Sequence, residues 1–372
     1  MRCADTTVVN AISAAILSMA ACTASADGIS TSIGGYGTVG GSFTSDGKYE
    51  YVHTLSEFTG ASNSFDIGLE SRLGVQAVVS FDSQWSITAQ EVLKLRGSSN
   101  FDPGTEWLYA QYQPDSHWKL RLGRVVLPVF LVSDTIDVGY AVPWFRAPNN
   151  VYYAEPFDDL DGGQVLWQHS LGALQLNLEA TYGEAGGTFQ LTGLQVVAKS
   201  KSTFNAAASL SWRSLLVRYA ATDLSTAASA PLSPTQVFSF IVHDHFHCLG
   251  VQYDDGKALL MSEWTKRTEP NLPVLNKPLS LETGWYVAAG WRLGKFTPLI
   301  MYSALNVTDS IIESPTSTHT WDASLRYDVM RNLDLKLQIS RTGARNGSYW
   351  VAPNFASNEQ VNVYSFGADF VF

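Results

Sequence analysis

The sequence lacks any hydrophobic run that is long enough to form a membrane-spanning helix. Beyond the N-terminal region the longest apolar run is Val125–Val132, with Pro128 inside it, whereas a spanning helix needs roughly 20 residues. Cysteine is scarce as well, because Cys3 and Cys22 precede the processing site predicted below and only Cys248 remains. The mature fold therefore has no internal disulfide. If such a chain enters a membrane, it must do so as a closed β-barrel, since only helices and closed barrels satisfy their backbone in lipid.

The sequence is also poor in charge and in catalytic motifs. Only 16% of the residues are charged, the net charge is −10, and Lys and Arg form no cluster. We therefore expect no nucleic-acid partner, since phosphate binding needs such clusters. The hydrophobic fraction of 45% excludes an intrinsically disordered chain. No G-x-S-x-G, H-E-x-x-H or Gly-rich phosphate loop is found, so we expect neither an enzyme nor a cofactor.

The N-terminal residues 1–26 have the features of a secretory signal peptide. An apolar stretch precedes an A-x-A cleavage site that ends at Ala26. Lipoprotein processing at Cys22 is the alternative. We expect residues 27–372 to form a single transmembrane β-barrel domain.

Segments of alternating apolar and polar residues recur along the mature chain, and the second predicted strand is the clearest. One face carries Phe65, Ile67, Leu69, Leu73, Val75, Ala77, Val79 and Phe81, and the other carries Asp66, Glu70, Arg72 and Gln76. This pattern is typical of a barrel strand that faces lipid on one side and a wet lumen on the other. A soluble β-sandwich also alternates, but its loops are short at both ends.

Seven tight connections join these segments, and each contains residues that favour turns. They lie at Asp82-Ser83-Gln84, Pro114-Asp115-Ser116, Ser170-Leu171-Gly172, Arg213-Ser214, Asp254-Asp255-Gly256, Gly294-Lys295 and Met330-Arg331-Asn332. Seven hairpins with one strand before them (about 29–43) and one after them (about 361–372) predict sixteen strands. Both termini then lie on the side of the short turns, as in bacterial barrels. Glu91 would face lipid in the simplest register, which predicts a bulge near it.

The last segment of the chain alternates up to its final residue. Tyr364, Phe366, Ala368, Phe370 and Phe372 share one face. Such a row suits lipid and the interfacial aromatic belt, whereas on a soluble edge strand it would promote aggregation. The row resembles the assembly signal of Gram-negative outer-membrane proteins.

Further segments resemble those of the Gram-negative (proteobacterial) outer-membrane porin superfamily, of the trimeric, sixteen-stranded type. They are Ser71–Gln76, Leu122–Pro128 with Ser133-Asp134, Asp137–Tyr140 and Pro143-Trp144, Glu263–Arg267, and Gly294–Pro298. The resemblance implies a homotrimer in the outer membrane of a Gram-negative bacterium. It also implies that the long loop after strand five folds inward and narrows the barrel. The expected fold class is thus all-β: a transmembrane antiparallel β-barrel of about sixteen strands with an inward-folded constriction loop.

Charged residues divide between this loop and the predicted inner wall. The connector from Val125 to about Gly162 carries the acids Asp134, Asp137, Glu155, Asp158, Asp159 and Asp161 and the single base Arg146. The inward positions of strands two to five carry Arg72, Lys94, Arg96, Lys119 and Arg121, with Glu70 as the only acid, and Arg124 follows. If the loop folds inward, an acidic edge faces a basic wall and creates a transverse field. Alternatively, both sets are solvated faces of a wet lumen.

Two other groups of residues suggest ligands. Trp144, Phe145, Tyr152, Tyr153 and Phe157 in the loop would suit sugars, although we favour a role as anchors of the loop. His243, His245 and His247 alternate on one strand and are of a metal-ligating type. They share their face with Leu249, Val251 and Tyr253, however, so we expect them on the lipid-facing side and expect no metal.

The function expected from the sequence is a porin, a water-filled channel for passive diffusion of small hydrophilic solutes and ions, in contact with outer-membrane lipid. A solute-selective porin with a sugar or small-anion site is an alternative. A surface barrel enzyme or adhesin is an alternative of another class.

Overall fold

A computed structural model of the chain consists almost entirely of β-strands. It describes residues 22–26, 28–54, 57, 59–96, 100–153, 155, 157–191, 194–233, 236–269, 280–308, 316–345, 351–352 and 359–372. Most of the predicted signal peptide therefore lies outside the described residues, and its cleavage remains a prediction. Its last residues, Cys22–Ala26, form a short strand that pairs with Ile29–Ile33. Within the described part of the chain, no helix is long and apolar enough to span a membrane.

Sixteen long strands make up the main sheet. The first eight are β1 Ile29–Thr44, β2 Arg72–Ser80, β3 Trp85–Arg96, β4 Asn100–Tyr112, β5 Trp118–Val126, β6 Asp159–Leu171, β7 Leu174–Leu191 and β8 Leu194–Trp212. The second eight are β9 Leu215–Ser233, β10 Gln236–Asp254, β11 Ala258–Glu269, β12 Ser280–Trp291, β13 Phe296–Thr308, β14 Thr316–Met330, β15 Leu333–Arg345 and β16 Gln360–Val371. A minor two-stranded sheet pairs Glu50–Tyr51 with Val351–Ala352.

The main sheet closes on itself as an antiparallel barrel. Each strand pairs with the next one in the chain, and β16 pairs with β1 from Val371 opposite Tyr36 to Val363 opposite Thr44. All seven predicted tight connections separate consecutive strands, and the first and last strands begin and end within one residue of their predicted bounds. Alternation of side chains and turn chemistry thus fixed the strand number correctly.

The local register differs from the simple pattern in two places. The second strand begins at Arg72 and not at Phe65, because the Asp66 carboxylate accepts the backbone N–H groups of Gly68 and Leu69 at 2.7 and 3.3 Å. These bonds form an Asx turn, which ends the extended run. Near Glu91 the pairing between β3 and β4 shifts by one residue, so the predicted bulge is present, but its extra residue lies on β4 and Glu91 itself remains exposed on the outward face.

The barrel closes with aromatic rings over glycines. The backbone of Phe372 exchanges two hydrogen bonds of 2.9 Å with Gly35. A Cβ at Gly35 would lie 2.4 Å from the Phe372 ring, and one at Gly37 would lie 2.4 Å from the Phe370 ring. Glycine is required at these positions because each ring occupies the volume of a side chain on β1. The terminal aromatic row therefore seals the seam between the first and last strands.

The inner faces of the strands are not wholly polar, contrary to expectation. On β11 to β13, Met261, Tyr286, Leu299 and Met301 lie inward and are at most 4% exposed. They form one apolar cluster with buried residues of the segment between β5 and β6, among them Trp144. Inward apolar residues are stable here because this segment, and not water, covers them.

Candidate functional site

The connector between β5 and β6 comprises residues 127–158, shorter at both ends than the sequence suggested. Asp159 and Asp161 belong to β6. The connector contains two 3-10 turns, Ser133–Thr135 and Gly139–Ala141, and one short helix, α1 Asn149–Tyr152. Its side chains contact inward-facing residues on many strands of the barrel, and three groups of polar contacts fix its course.

The first contact group surrounds the Glu263 carboxylate on β11, which is fully buried. It accepts the backbone N–H of Leu131 at 2.8 Å, the Tyr286 hydroxyl at 3.0 Å, the Cys248 thiol at 3.4 Å and the Tyr152 hydroxyl. Two of these donors belong to the connector. A buried carboxylate is tolerated when several donors satisfy it, so Glu263 attaches both arms of the connector to the wall.

The second group surrounds Arg146, the only base in the connector. Its guanidinium lies 3.5 Å from the Glu70 carboxylate, donates to Ser340 at 3.0 Å and stacks over the Tyr51 ring at 4.5 Å. Only 4% of Arg146 and 2% of Glu70 is exposed. These two predicted site residues are thus brought together, but they neutralise each other and attach the connector to β15 and to the segment that precedes β2.

The third group is centred on Lys336 of β15. Its ammonium donates to the carbonyls of Gly139 and Val142 at 2.5 and 2.8 Å and lies 3.0 Å from the Asp369 carboxylate. On the other side of the connector, Asn150 donates to Ser303 at 2.8 Å. The connector is therefore attached to the half of the barrel that runs from β10 through β16 to β2. Its free edge, Ser133–Ile136, faces the inner surfaces of β3 to β9, with Asp134 beside residues of β5, β7 and β9.

Asp137 is the connector acid that meets the basic wall. Its carboxylate lies 2.9 Å from the ammonium of Lys94 on β3, which also lies 3.3 Å from Glu106. Burial disfavours ionisation of Asp137, but Lys94, Arg72 and Arg96 together hold its pKa below the ordinary value. Asp137 is therefore an anion at neutral pH, and the predicted opposition of loop acid and wall base is a direct ion pair at this point.

Glu106 was not identified from the sequence as an inward residue. It is the residue skipped by the register shift between Gln90 and Glu91. The bulge turns its carboxylate inward, where it pairs with Lys94 and Arg96. A bulge re-aims one side chain without changing the strand count. The predicted bulge at Glu91 was the signal from which a second inward acid could have been found.

Asp134 lies three residues before Asp137 and has a different environment. It is exposed, and its charged neighbours across the lumen are Glu179, Arg218 and Arg121. Arg218 on β9 was not singled out from the sequence. It lies 3.3 Å from Glu179 and donates to the carbonyl of Pro128 at 2.7 Å, so it also positions the base of the connector. Within the described residues, Asp134 forms no ion pair.

A cavity of about 670 Å³ adjoins the connector on the side of the long loops. Seven acids and four bases line it: Glu57, Asp102, Glu106, Asp137, Glu155, Asp158 and Asp159, with Arg72, Lys94, Arg96 and Arg146. A second cavity of about 330 Å³ on the opposite side is lined by Tyr36, Gln76 and Val138. Asp137 lines the first cavity and Val138 the second, so this point of the connector lies between the two cavities.

Two connector acids in the larger cavity are less ionised than free carboxylates. Burial raises the pKa of Glu155 to about 8, against the opposing effect of Arg267. Burial likewise raises the pKa of Asp158 to about 6, against the opposing effect of Lys94. At neutral pH Glu155 is therefore mostly neutral, and Asp158 is mostly charged.

Three of the remaining predicted site residues lie at the wall of β5 and β6. Arg121 faces inward and donates to Gln111 and Gln164 at 3.0 Å each. Lys119 shares its face, two residues nearer the tight turn. Arg124, in contrast, lies opposite the exposed Leu108 on the outward face and pairs with Asp161 at 2.7 Å. The prediction that Arg124 lines the pore is wrong, because the inward positions of β5 alternate through Lys119 and Arg121.

The three histidines lie on the outward face of β10, as expected because they and Leu249 occupy every second position of this strand. His245 pairs with Asp223, and the His247 ring is bonded to the Tyr219 hydroxyl at 2.8 Å. His243 lies opposite Ser225 on β9. In the part of the chain that the structure describes, no group of three or more His, Cys, Asp or Glu is arranged to hold a metal ion.

Comparison with solved structures gives the same fold at low sequence identity. The outer-membrane channel DcaP of Acinetobacter baumannii matches 95% of this chain with all of its own, at 12% identity and a TM-score of 0.61. A trimer form of OmpT, an outer-membrane protein of Vibrio cholerae, matches 93% of this chain with all of its own, at 13% identity and a TM-score of 0.59. The anion-selective porin of Comamonas acidovorans matches 92% of this chain with all of its own, at 10% identity and a TM-score of 0.57.

Comparison of the sequence itself gives the family. No curated protein matches the chain. The model of the Gram-negative porin family matches residues 12–347, which is most of the chain. The chain therefore belongs to the Gram-negative porins, and with its closed barrel of sixteen strands it is an outer-membrane channel for the passive diffusion of solutes.

Proposed function

We propose that solutes cross this channel between the free edge of the connector and the inner wall of β3 to β9. The observation that supports this path most strongly is the position of Asp137, which lies between the two cavities and is paired with Lys94 at 2.9 Å. Asp134 extends the edge toward Arg121 and Arg218. Passage needs no energy input, because solutes move down their own gradient, and the opposed fixed charges only orient water and polar solutes on the way.

The charges at this constriction favour small cations over small anions. Of the seven acids and four bases among the described residues that line the larger cavity, Glu155 is mostly neutral at neutral pH and Arg146 is neutralised by Glu70, which leaves six acids against three bases. A pore lined by an excess of one sign of charge concentrates the opposite ion. The same balance argues against the small-anion site considered from the sequence. The aromatic residue Trp144 is only 1% exposed and packs edge-on against Tyr286, which supports its role as an anchor rather than as part of a sugar surface.

The proposal extends to assembly and to the absence of catalysis. We assign the chain to a homotrimer, as in the trimer form of the Vibrio cholerae OmpT. We also assign it a transport role and no enzymatic one, since its buried acids serve to attach the connector or to face the lumen. Outer-membrane lipid covers the outward face, where large apolar side chains such as Leu122 and Ile300 are exposed.

The test is a planar-bilayer recording on refolded protein. We expect stepwise, ohmic conductance with a reversal potential on the cation-selective side in a KCl gradient. Chemical cross-linking of the same preparation should give a trimer. A folded, heat-modifiable barrel that does not conduct would contradict the channel proposal and favour a surface enzyme or adhesin.

A further inference from the structure

The larger cavity contains an acid without a basic partner. Glu155 lines the cavity and is only 5% exposed, and within the described residues its one hydrogen bond comes from the backbone N–H of Phe157 at 3.2 Å. The one base that lowers its pKa, Arg267, is already engaged by Asp244 at 3.3 Å and Glu269 at 2.9 Å. A buried carboxylate that lacks a cation and has a single donor is incompletely satisfied.

A second acid of the cavity, Asp158, also lacks an ion pair in the described part of the chain, although it is exposed to the cavity. The cavity bases near it already form ion pairs with other acids: Lys94 with Glu106 and Asp137, and Arg96 with Glu106. The two acids are separated by only two residues in the connector. Once Glu155 is ionised, the cavity thus has one side at which negative charge is not balanced by the protein.

Flat apolar surfaces line the same cavity. Phe157 lies between the two acids in sequence and packs edge-on against Phe189, with ring centroids 5.5 Å apart. Tyr152, which is partly exposed, contributes a further ring. Aromatic faces bind apolar bodies and attract cations through their quadrupole. The volume of about 670 Å³ lies within the range of small-molecule sites, roughly 300–1,000 Å³.

We propose that this cavity is a binding site, on the permeation path, for organic cations that carry an ammonium group on an aromatic or flat apolar body. The ammonium group lies against Glu155 and Asp158, and the apolar body lies against Phe157 and the neighbouring rings. The inference rests on the proposed solute path and adds a substrate class to it. An inorganic cation has no apolar body and gains only the electrostatic part of this interaction.

The test is block of single-channel current by benzyltrimethylammonium, which is charged at every pH, measured above the pKa of about 8 of Glu155. We expect saturable block by this probe and weaker block by tetramethylammonium, which lacks the ring. Benzyl alcohol and 3-phenylpropionate, which share the ring without the positive charge, should not block.

Two variants and one control locate the site. Glu155→Gln should raise the half-blocking concentration roughly tenfold, the usual worth of one charged contact, and Asp158→Asn should raise it by several-fold. Asp158 is exposed, so that variant folds even if the buried Glu155→Gln does not. Glu184→Gln, on the outward face of β7, should leave block unchanged.

The outcomes separate the two proposals. A folded protein that does not conduct overturns the solute path and this inference together. A conducting channel that 3-phenylpropionate blocks as well as benzyltrimethylammonium, or in which both acidic variants are blocked like the parent, overturns the binding site alone.

Discussion

Removing the carboxylate of Asp137 should convert a balanced point of the constriction into a positively charged one. Asp137→Asn keeps the size of the side chain and its backbone, but it leaves Lys94 with only Glu106, at 3.3 Å, as a partner. Arg72 and Arg96 remain beside it. The net charge at the constriction therefore becomes more positive by one unit, and we expect anions to enter more easily and cations less easily.

The magnitude follows from Coulomb's law. A permeating ion that passes about 5 Å from a unit charge in water interacts with it by roughly 0.8 kcal/mol. Cation and anion change by this amount in opposite directions, so the cation-to-anion permeability ratio should fall on the order of tenfold. Salt weakens the effect, because the Debye length shrinks from about 10 Å at 0.1 M to about 3 Å at 1 M.

The assay is the reversal potential across a KCl gradient at low and at high ionic strength. Lys94→Met should shift the potential in the opposite direction, and the double variant should return near the parent value. Glu184→Gln is the matched control, since it also removes one carboxylate but on the outward face. If Asp137→Asn has the reversal potential of the parent at low salt, then solutes do not pass beside this residue.

Three further predictions concern the connector and the barrel seam. Arg146→Met removes one of the two bases beside the buried Glu70 carboxylate and leaves His53, at 3.2 Å, as the other, so the free energy of unfolding should fall by about 3 kcal/mol, measured by thermal unfolding in detergent. The cation-to-anion permeability ratio should rise as the pH passes about 6 and then about 8, because Asp158 and Glu155 ionise in that order; reversal potentials measured across this range report it. Gly35→Val should impair folding, because its Cβ would lie 2.6 Å from a backbone carbonyl of β2 and 2.4 Å from the terminal phenyl ring, as reported by heat-modifiable mobility in gels.

Matched controls separate these effects from general damage. Arg341→Met removes an outward, exposed arginine and should leave stability unchanged, and Gly163→Ala should fold normally, because a Cβ there has its nearest neighbour at 3.7 Å. The assignment of the two ionisations would be contradicted if the permeability ratio of the parent did not change with pH. It would also be contradicted if the ratio of the double variant, Glu155→Gln with Asp158→Asn, changed with pH as steeply as that of the parent.

The barrel itself could be predicted from sequence because each hairpin carries its own signal. The turn at Asp254-Asp255-Gly256 is an example: Asp255 accepts the N–H groups of Lys257 and Ala258 at 2.8 and 2.7 Å. Apolar and polar side chains alternate in the strands on either side of this turn, and the polar turn residues mark the one position at which the chain can reverse between them. Seven such local signals and the terminal aromatic row suffice to count sixteen strands.

The site was harder to predict because it depends on contacts between residues that are far apart in sequence. Nothing near Arg146 indicates that its partner is Glu70, 76 residues earlier, and so its role as an anchor was not visible. Glu106 faces inward only because a bulge interrupts the alternation of side chains on β4. Arg124 faces outward because the alternation of side chains on β5 continues past Gly123. The alternation of positions along a strand gives the face of a side chain only where the pairing with the neighbouring strands is regular.

The most direct test of the proposed path is modification of Asp134→Cys in a Cys248→Ala background while the channel conducts. Asp134 is exposed on the free edge of the connector, so a cationic methanethiosulfonate reagent should attach there and reduce the single-channel current. Glu184→Cys, labelled to the same extent on the outward face, should keep the parent current. Complete labelling of Asp134→Cys, verified by mass, with no change in current would show that solutes do not pass between this edge and the wall.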